Sequence, residues 1–293
     1  MIDKNIVKKL HYIEIKSKKL VNDVFAGEYL SAFKGQGMEF DEVREYSIGD
    51  DIRNIDWNVS ARYNKLYVKK FREERELNIM LLVDISRSGF FGTSEKAKID
   101  LAAELGAIFS FSAIKNNDKV GLLLFTDKIE KFISLKKGRK HVMAILNAIL
   151  SFKPESKGTS IKFALEYIGK LLTKKSIIIL ISDFIDKDYE KILRILNRKH
   201  DIVLIYLYDK KEILMPKIGY IPFEDLETGE RMYINTSDKK KMKEFSLSMI
   251  DKTEKFKNRL KRYGIDSISI ETSSLYIPNL IKFFKERVKR RSA

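Results

Sequence analysis

From about residue 77 the chain alternates short apolar runs with longer amphipathic stretches. LNIMLLVD, KVGLLLFTD, SIIILISDF and DIVLIYLYD are aliphatic or β-branched almost throughout. Between and around them stand KAKIDLAAELGAIFSFSAIKNN, RKHVMAILNAILSF, SIKFALEYIGKLL and YEKILRILNRKH, which carry helical spacing. Strands that are apolar on both faces and separated by helices predict a mostly parallel sheet covered on both sides, a doubly wound α/β fold. After LLLFTD the run KIEKFISL follows with too little chain for a crossover helix, so it is expected to return as one antiparallel edge strand, flanked by lysine.

Upstream, Ile6, Leu10, Ile13, Leu20 and Val24 recur at intervals of three, four or seven and predict an amphipathic helix over residues 3–24. Downstream, GYIPFEDLETGERMYIN places a Thr-Gly turn between two extended segments, a hairpin over about residues 217–236. Met242, Phe245, Met249, Phe256, Leu260 and Tyr263 then mark one face of a long helix, before a strand DSISIET and a last helix YIPNLIKFFKERVKRR. The expected division is an N-terminal helical and loop extension over 1–76, rich in Arg and Asp, followed by one α/β domain over 77–293 that includes the hairpin and the C-terminal helices.

Composition narrows the setting. With 293 residues the chain is long enough for one large core without staples, and its count of zero cysteines excludes disulfides and thiolate metal sites. The N-terminus has no apolar leader and no apolar run approaches the roughly 20 residues that span a bilayer, so the expectation is a cytoplasmic protein with no membrane span. The formal charge of +16 raises nucleic acid as a partner, but the lysines are spread along the whole chain and only KERVKRRSA is compact, which fits a solvated basic surface.

The chemistry gathers at strand ends. LLVDISRSGFFG ends an apolar run at Asp84 and follows it with hydroxyls at Ser86 and Ser88; Thr159 lies in KGTSI at a helix start, and Asp183 ends IIILISDF. In open parallel sheets, ligands collect outside the carboxyl ends of the strands. If the strands ending at Asp84 and Asp183 are neighbours, two carboxylates and three hydroxyls converge into an all-oxygen set suited to Mg²⁺, with a position open for an outside carboxylate. An extended Asp-x-Ser-x-Ser loop would point its alternate side chains one way. Taken singly, each residue also has a plain structural role, the hydroxyls as helix caps and the aspartates as strand ends.

DISRS, Thr159 in GTS and Asp183 in ISDF resemble the metal-ion-dependent adhesion site of von Willebrand factor A-type domains. The resemblance implies that Ser86 and Ser88 ligate Mg²⁺ (or Mn²⁺ or Ca²⁺) directly, that Thr159 does so in some states, and that Asp84 and Asp183 act directly or through water. It implies binding rather than catalysis, with a partner's Asp or Glu completing the coordination sphere. The stretch GMEFDEVREYSIGDDIRNIDWNVSARYNKLYVKKFREERE is similar to the signature of the bacterial family called domain of unknown function 58, carried by Phe40, Arg44, Tyr46, Gly49, Asp50, Arg53, Asp56, Trp57, Ala61 and Arg62. EDLETGE resembles a later element of the same family, and Gly89 departs from it where a larger apolar residue is expected. What this implies is a non-enzymatic adaptor that partners a MoxR-type AAA+ ATPase and an unknown client protein.

Read physically, the signature is a run of Arg and Asp around the one Trp of the chain. Arg44, Arg53 and Arg62 are expected to fasten a long loop against the domain through Asp50, Asp51 or Asp56, or else to serve as a binding surface. Two other classes of function stay open at this level: a Mg²⁺-dependent phosphoester hydrolase using the same oxygens, and a nucleic-acid binder using the basic surface. The hydrolase lacks an evident base, since the three histidines, His11, His141 and His200, fall on helices or their ends.

Overall fold

Three of the apolar runs, Asn78–Asp84, Lys119–Phe125 and Ile177–Ser182, are buried at nearly every position because helices cover both of their faces. The computed structural model describes residues 4–34, 38–73, 76–90, 97–156, 158–215, 217–224 and 231–292. In chain order its elements are α1 (Lys4–Leu20), α2 (Ala26–Lys34), β1 (Met38–Glu45), α3 (Trp57–Tyr63), β2 (Tyr67–Glu73), β3 (Asn78–Asp84), α4 (Lys98–Lys115), β4 (Lys119–Phe125), β5 (Ile129–Lys136), α5 (Arg139–Ser151) and α6 (Ile161–Leu171). There follow β6 (Ile177–Ser182), α7 (Glu190–Asn197), β7 (Asp201–Tyr208), α8 (Lys210–Ile213), β8 (Tyr220–Glu224), β9 (Arg231–Asn235), α9 (Lys239–Arg262), β10 (Asp266–Glu271) and α10 (Tyr276–Ser292).

Six strands form the main sheet in the order β10-β7-β6-β3-β4-β5. All pairings are parallel except β4 with β5. The protein is therefore the doubly wound, mostly parallel α/β fold expected, with KIEKFISL as its antiparallel edge. Alternate residues of each strand feed opposite cores. Ile79, Leu81 and Val83 join a cluster under α1, α2, α4, α5 and α10, whereas Met80 and Leu82 join one under α6, α7 and α9. At Gly121 in β4 an added Cβ would come within 2.7 Å of Met80 Cε and 2.9 Å of the Ile133 carbonyl oxygen, so only glycine lets β5 lie this close.

The N-terminal helices belong to the first of these cores. Leu10, Ile13, Val21, Phe25 and Tyr29 are buried against α4, α5 and α10. The Tyr29 hydroxyl donates to Asp118 at 3.2 Å, and the other oxygen of Asp118 accepts the Leu77 N–H at 2.9 Å, tying α2 to the entrance of β3. At the far end of the chain, Arg287 of α10 is fully buried over the Phe33 ring, pairs with Asp201 and sits 2.8 Å from Asp266. That arginine ties α10 to the first residues of both β7 and β10.

The signature segment is not a loop fastened on the domain. It is an arm: β1 and β2 pair antiparallel from Met38↔Glu73 to Glu45↔Tyr67, and α3 is carried at the tip. Its ion pairs close it on itself. Arg44 meets Asp50 at 2.6 Å, Arg53 meets Asp51 at 2.8 Å, and Asp56 accepts the N–H groups of Asn58 and Val59 as the N-cap of α3 while Lys69 lies 3.6 Å away. Arg62 pairs with no carboxylate among the described residues. The expectation of arginines anchoring a loop to the sheet fails because each nearby carboxylate lies only two to six residues from its arginine, and local pairing costs less chain entropy.

The hairpin near residues 217–236 is present as β8 paired with β9, its turn at 225–230 lying outside the described residues. The expected apolar face of α9 is real but shallow: only Leu260 of that helix is buried, with Phe256 packed partly against the second core.

Candidate metal centre

The sheet reverses its winding direction between β3 and β6, since β4 lies on one side of β3 and β6 on the other. At such a switch point the two flanking crossovers diverge and leave a crevice at the strands' carboxyl ends. Asp84 closes β3 and Ser182 closes β6, and the parallel register that pairs Val83 with Ile181 sets them side by side. The Ser182 hydroxyl donates to Asp84 Oδ2 at 2.7 Å, and the Ser86 N–H donates to Asp84 Oδ1 at 2.9 Å. Asp183 follows, also buried, and its side chain lines a small cleft together with Asp84, Ser88, Gly89, Lys98 and Ser182.

The two serines converge, though not by the extended alternation expected. Residues Arg87–Phe90 form a 3₁₀ turn, closed by the Gly89 N–H to the Ser86 carbonyl at 3.0 Å. The turn forms because Asp84 captures the Ser86 N–H and bends the chain, as Asp does where it caps its own backbone. The result is a separation of 3.0 Å between Ser86 Oγ and Ser88 Oγ. Adjacent oxygens around Mg²⁺, each about 2.1 Å from it in an octahedron, stand about 3 Å apart. Gly89 has room for a Cβ, its nearest contact being the Asp84 carbonyl oxygen at 3.6 Å, so a larger residue there would fit.

Thr159 lies half-buried on the loop before α6, whose Ser160 N–H donates to the Thr126 carbonyl at 3.0 Å. Since Thr126 directly follows β4, this bond holds the Thr159 loop at the same carboxyl rim, although Thr159 is not among the residues lining the cleft. Asp186, three residues past Asp183, accepts the Ile161 N–H at 2.7 Å and joins the two loops.

Electrostatics make the centre short of positive charge. Burial, and after it the nearby charge of Asp183, push the Asp84 carboxyl up to about 7. Two buried carboxylates side by side hold their charges poorly unless a cation joins them. Lys98, the first residue of α4, is one such cation: its ammonium lies 3.1 Å from Asp183 Oδ2 and 2.7 Å from Glu212 Oε1, and its side chain is only 3% exposed. Despite its own burial, the charges of Asp183 and Glu212 raise the Lys98 ammonium above its ordinary value. Among the described residues no group of three or more His, Cys, Asp or Glu side chains is placed to hold a metal, so a cation here would depend on the serine hydroxyls and on water. The donor set suits a hard, oxygen-seeking ion.

Ser182, Asp186, Lys98 and Glu212 escape a reading of the sequence alone. Ser182 is visible in ISDF as a hydroxyl beside the aspartate, but Lys98 is one of 57 Lys and Arg and carries no local mark. Of the histidines, His11 is exposed and His141 bonds the Val120 carbonyl at 2.9 Å; His200 is buried, with burial lowering its basicity. None of the three lines the cleft.

On the arm, Gly49 has φ +106°, which a side chain would strain, and the Tyr46 N–H donates to the Leu66 carbonyl at 2.8 Å. The Arg44 guanidinium holds the Asp50 carboxyl below its ordinary range, and Arg53 does the same for Asp51. Trp57 is 66% exposed, with Ile48, Ile52, Tyr63 and Leu66 exposed on the same segment.

A family model described as "Protein of unknown function DUF58" matches residues 42–255, a span that takes in most of the arm and the whole strand-end centre. An uncharacterised protein of Mycobacterium tuberculosis, Rv1480, is 27% identical over 230 residues, which is 78% of this chain and 73% of that protein. The uncharacterised protein YeaD of Bacillus subtilis is 27% identical over 128 residues, 44% of this chain and 30% of that protein. Among solved structures, a conserved hypothetical protein, BatB, from Bacteroides thetaiotaomicron superposes with a TM-score of 0.46 at 12% identity, covering 73% of this chain and 99% of that one. The von Willebrand A domain of SpRpn10 superposes with a TM-score of 0.40 at 12% identity, over 70% and 94% of the two chains.

Proposed function

The chain belongs to the DUF58 family, and from that premise we propose that it is a non-enzymatic, divalent-cation-dependent protein-interaction module, an adaptor between a MoxR-type AAA+ ATPase and a client protein. The observation that carries this reading is the pair of serine oxygens 3.0 Å apart beside two buried carboxylates at the sheet's switch point. Asp84, Ser86, Ser88 and Asp183 are the residues that would hold the cation, with Thr159 joining in some states. Mg²⁺, Mn²⁺ or Ca²⁺ supplies there an electrophilic position open to one outside carboxylate. Asp84 positions Ser86 through the backbone N–H, and Ser182 orients Asp84 in turn. The client is recognised by an exposed Asp or Glu.

The arm supports a second contact in the same reading. An exposed Trp among exposed aliphatic side chains marks an interaction surface more often than a stray residue. The test is purification of the tagged chain from its own cells, with Mg²⁺ or with chelator, as wild type and as an Asp84→Ala, Ser86→Ala double variant. An AAA+ ATPase or client retained only by the wild type in Mg²⁺ is the expected result. The same partners in all four samples would move the interaction to the arm and remove the cation from it. Turnover of a generic phosphate ester that disappears in Asp84→Asn would instead favour a hydrolase.

A further inference from the structure

We propose that Lys98 is a built-in competitor of the divalent cation for Asp183, and that Glu212 is the carboxylate that keeps its ammonium when Asp183 turns to the metal. The inference rests on the cation-binding reading above and concerns how tightly that centre is loaded. An ammonium 3% exposed has to be paired, and Lys98 is paired twice, with Asp183 at 3.1 Å and with Glu212 at 2.7 Å. The two partners differ in kind. Asp183 belongs to the strand-end oxygens, whereas Glu212 is fixed outside them in α8, where its other oxygen accepts the Asp209 N–H at 3.0 Å. Glu212 therefore stays in place to receive the ammonium when Asp183 turns away.

Charge gives the same answer. Asp84, Asp183 and Glu212, when ionised, carry three negative charges around one ammonium, leaving two, which is the charge of a single divalent ion. A metal held by Asp183 must sit within a few ångströms of the Lys98 charge, and the two repel in a site with little water to screen them. Lys98 thus keeps the empty centre from flying apart and, for the same reason, weakens the metal. Affinity is set low enough that a client's carboxylate, which adds negative charge, is needed for full loading.

The two side chains are expected to act in opposite directions, which a merely structural role would not produce. The experiment is a titration of the purified full-length chain with Mn²⁺ alone, no partner present, following free Mn²⁺ by electron paramagnetic resonance. Lys98→Met is expected to bind Mn²⁺ on the order of tenfold more tightly than wild type, and Glu212→Gln on the order of tenfold more weakly. Lys98→Arg, which keeps the charge, stays near wild type. If Lys98→Met and Glu212→Gln both weaken binding, or neither changes it while wild type binds, Lys98 is structural and the inference falls alone. If wild type and every variant leave Mn²⁺ free, the cation reading itself falls and takes the inference with it. Binding by Lys98→Met where wild type shows none would support it directly. Should Lys98→Met fail to fold, Glu212→Gln still decides, since that side chain is 25% exposed and tolerates the change: unaltered or tighter Mn²⁺ binding overturns the proposal.

Discussion

At the scale of single residues the candidate centre is held by contacts that leave little slack. Phe184, just past Asp183, has φ +53°, a left-handed backbone that costs a bulky residue about 1–3 kcal/mol. It persists because the Ser182 hydroxyl accepts its N–H at 3.0 Å and its ring is packed among Tyr189, Tyr206 and Phe256. Phe184→Ala keeps the Cβ and with it the backbone strain but loses the ring packing, and is expected to destabilise by about 3–5 kcal/mol in urea unfolding. Ser182→Ala leaves a buried Asp84 oxygen without its donor and should cost about 1–3 kcal/mol in the same measurement. Gly121→Ala drives a methyl toward the Ile133 carbonyl, and a loss of about 1–3 kcal/mol is expected there. DISRS and ISDF could be read as a centre from the sequence because their carboxylates and hydroxyls stand at strand ends, a place that the apolar runs themselves mark. Lys98 and Glu212 could not: the lysine meets Asp183 across 85 residues of chain, and nothing local to KAKID distinguishes it from a solvated lysine.

At the scale of elements, the arm and the last helix behave differently. Met38 pairs with Glu73, so the two ends of the arm lie side by side, and its own ion pairs and the N-cap at Asp56 close within it. Replacing residues 39–72 by a short flexible linker is expected to leave the six-stranded sheet folded, with unchanged far-ultraviolet dichroism apart from the lost hairpin and α3. Trp57, the one Trp of the chain, makes the arm a spectroscopic reporter. Its fluorescence should be that of a solvated indole in the free protein and should shift to the blue when a partner covers the arm. The last helix is locked instead. Arg287→Met removes the buried guanidinium from Asp201 and Asp266, the latter keeping Arg290, and thermal unfolding should show a loss of about 3 kcal/mol. Helices and strands were legible from periodicity because each buries a fixed face. The arm was not, because short-range ion pairs in an Arg- and Asp-rich stretch carry no periodic signal.

At the scale of the whole molecule, the N-terminal helix is part of the α/β core, and a measurable pH dependence follows from one of its contacts. Glu14 of α1 is bonded first of all by Arg139 of α5, then by Lys18, and its carboxyl is held at about 2. A carboxyl lowered on folding stabilises the folded state above its unfolded value and loses that contribution as pH falls toward the folded one. Roughly 2 kcal/mol of stability is therefore expected to vanish between about pH 4.5 and 2, and Glu14→Gln should flatten that part of the curve in acid-dependent urea titrations. No described helix is long and apolar enough to cross a membrane. The net charge of +16 is the excess of 57 Lys and Arg over 41 Asp and Glu, and some of the lysines are locally paired, as in Lys65 with Glu45 and Lys70 with Glu42.

The sequence by itself determined the sheet, its parallel sense, its antiparallel edge and the oxygen-rich residues at the carboxyl ends. Each of these depends on patterns only a few residues long: apolar runs, connection lengths and strand-end motifs. Only the tertiary structure decided that β3 and β6 are neighbours, so that Asp84 meets Ser182, that the serines meet through a tight turn, and that Lys98 stands between Asp183 and Glu212. The physical reason is that burial and pairing of charge are properties of places. A lysine becomes a counter-ion when folding removes water from around it and leaves carboxylates as its partners.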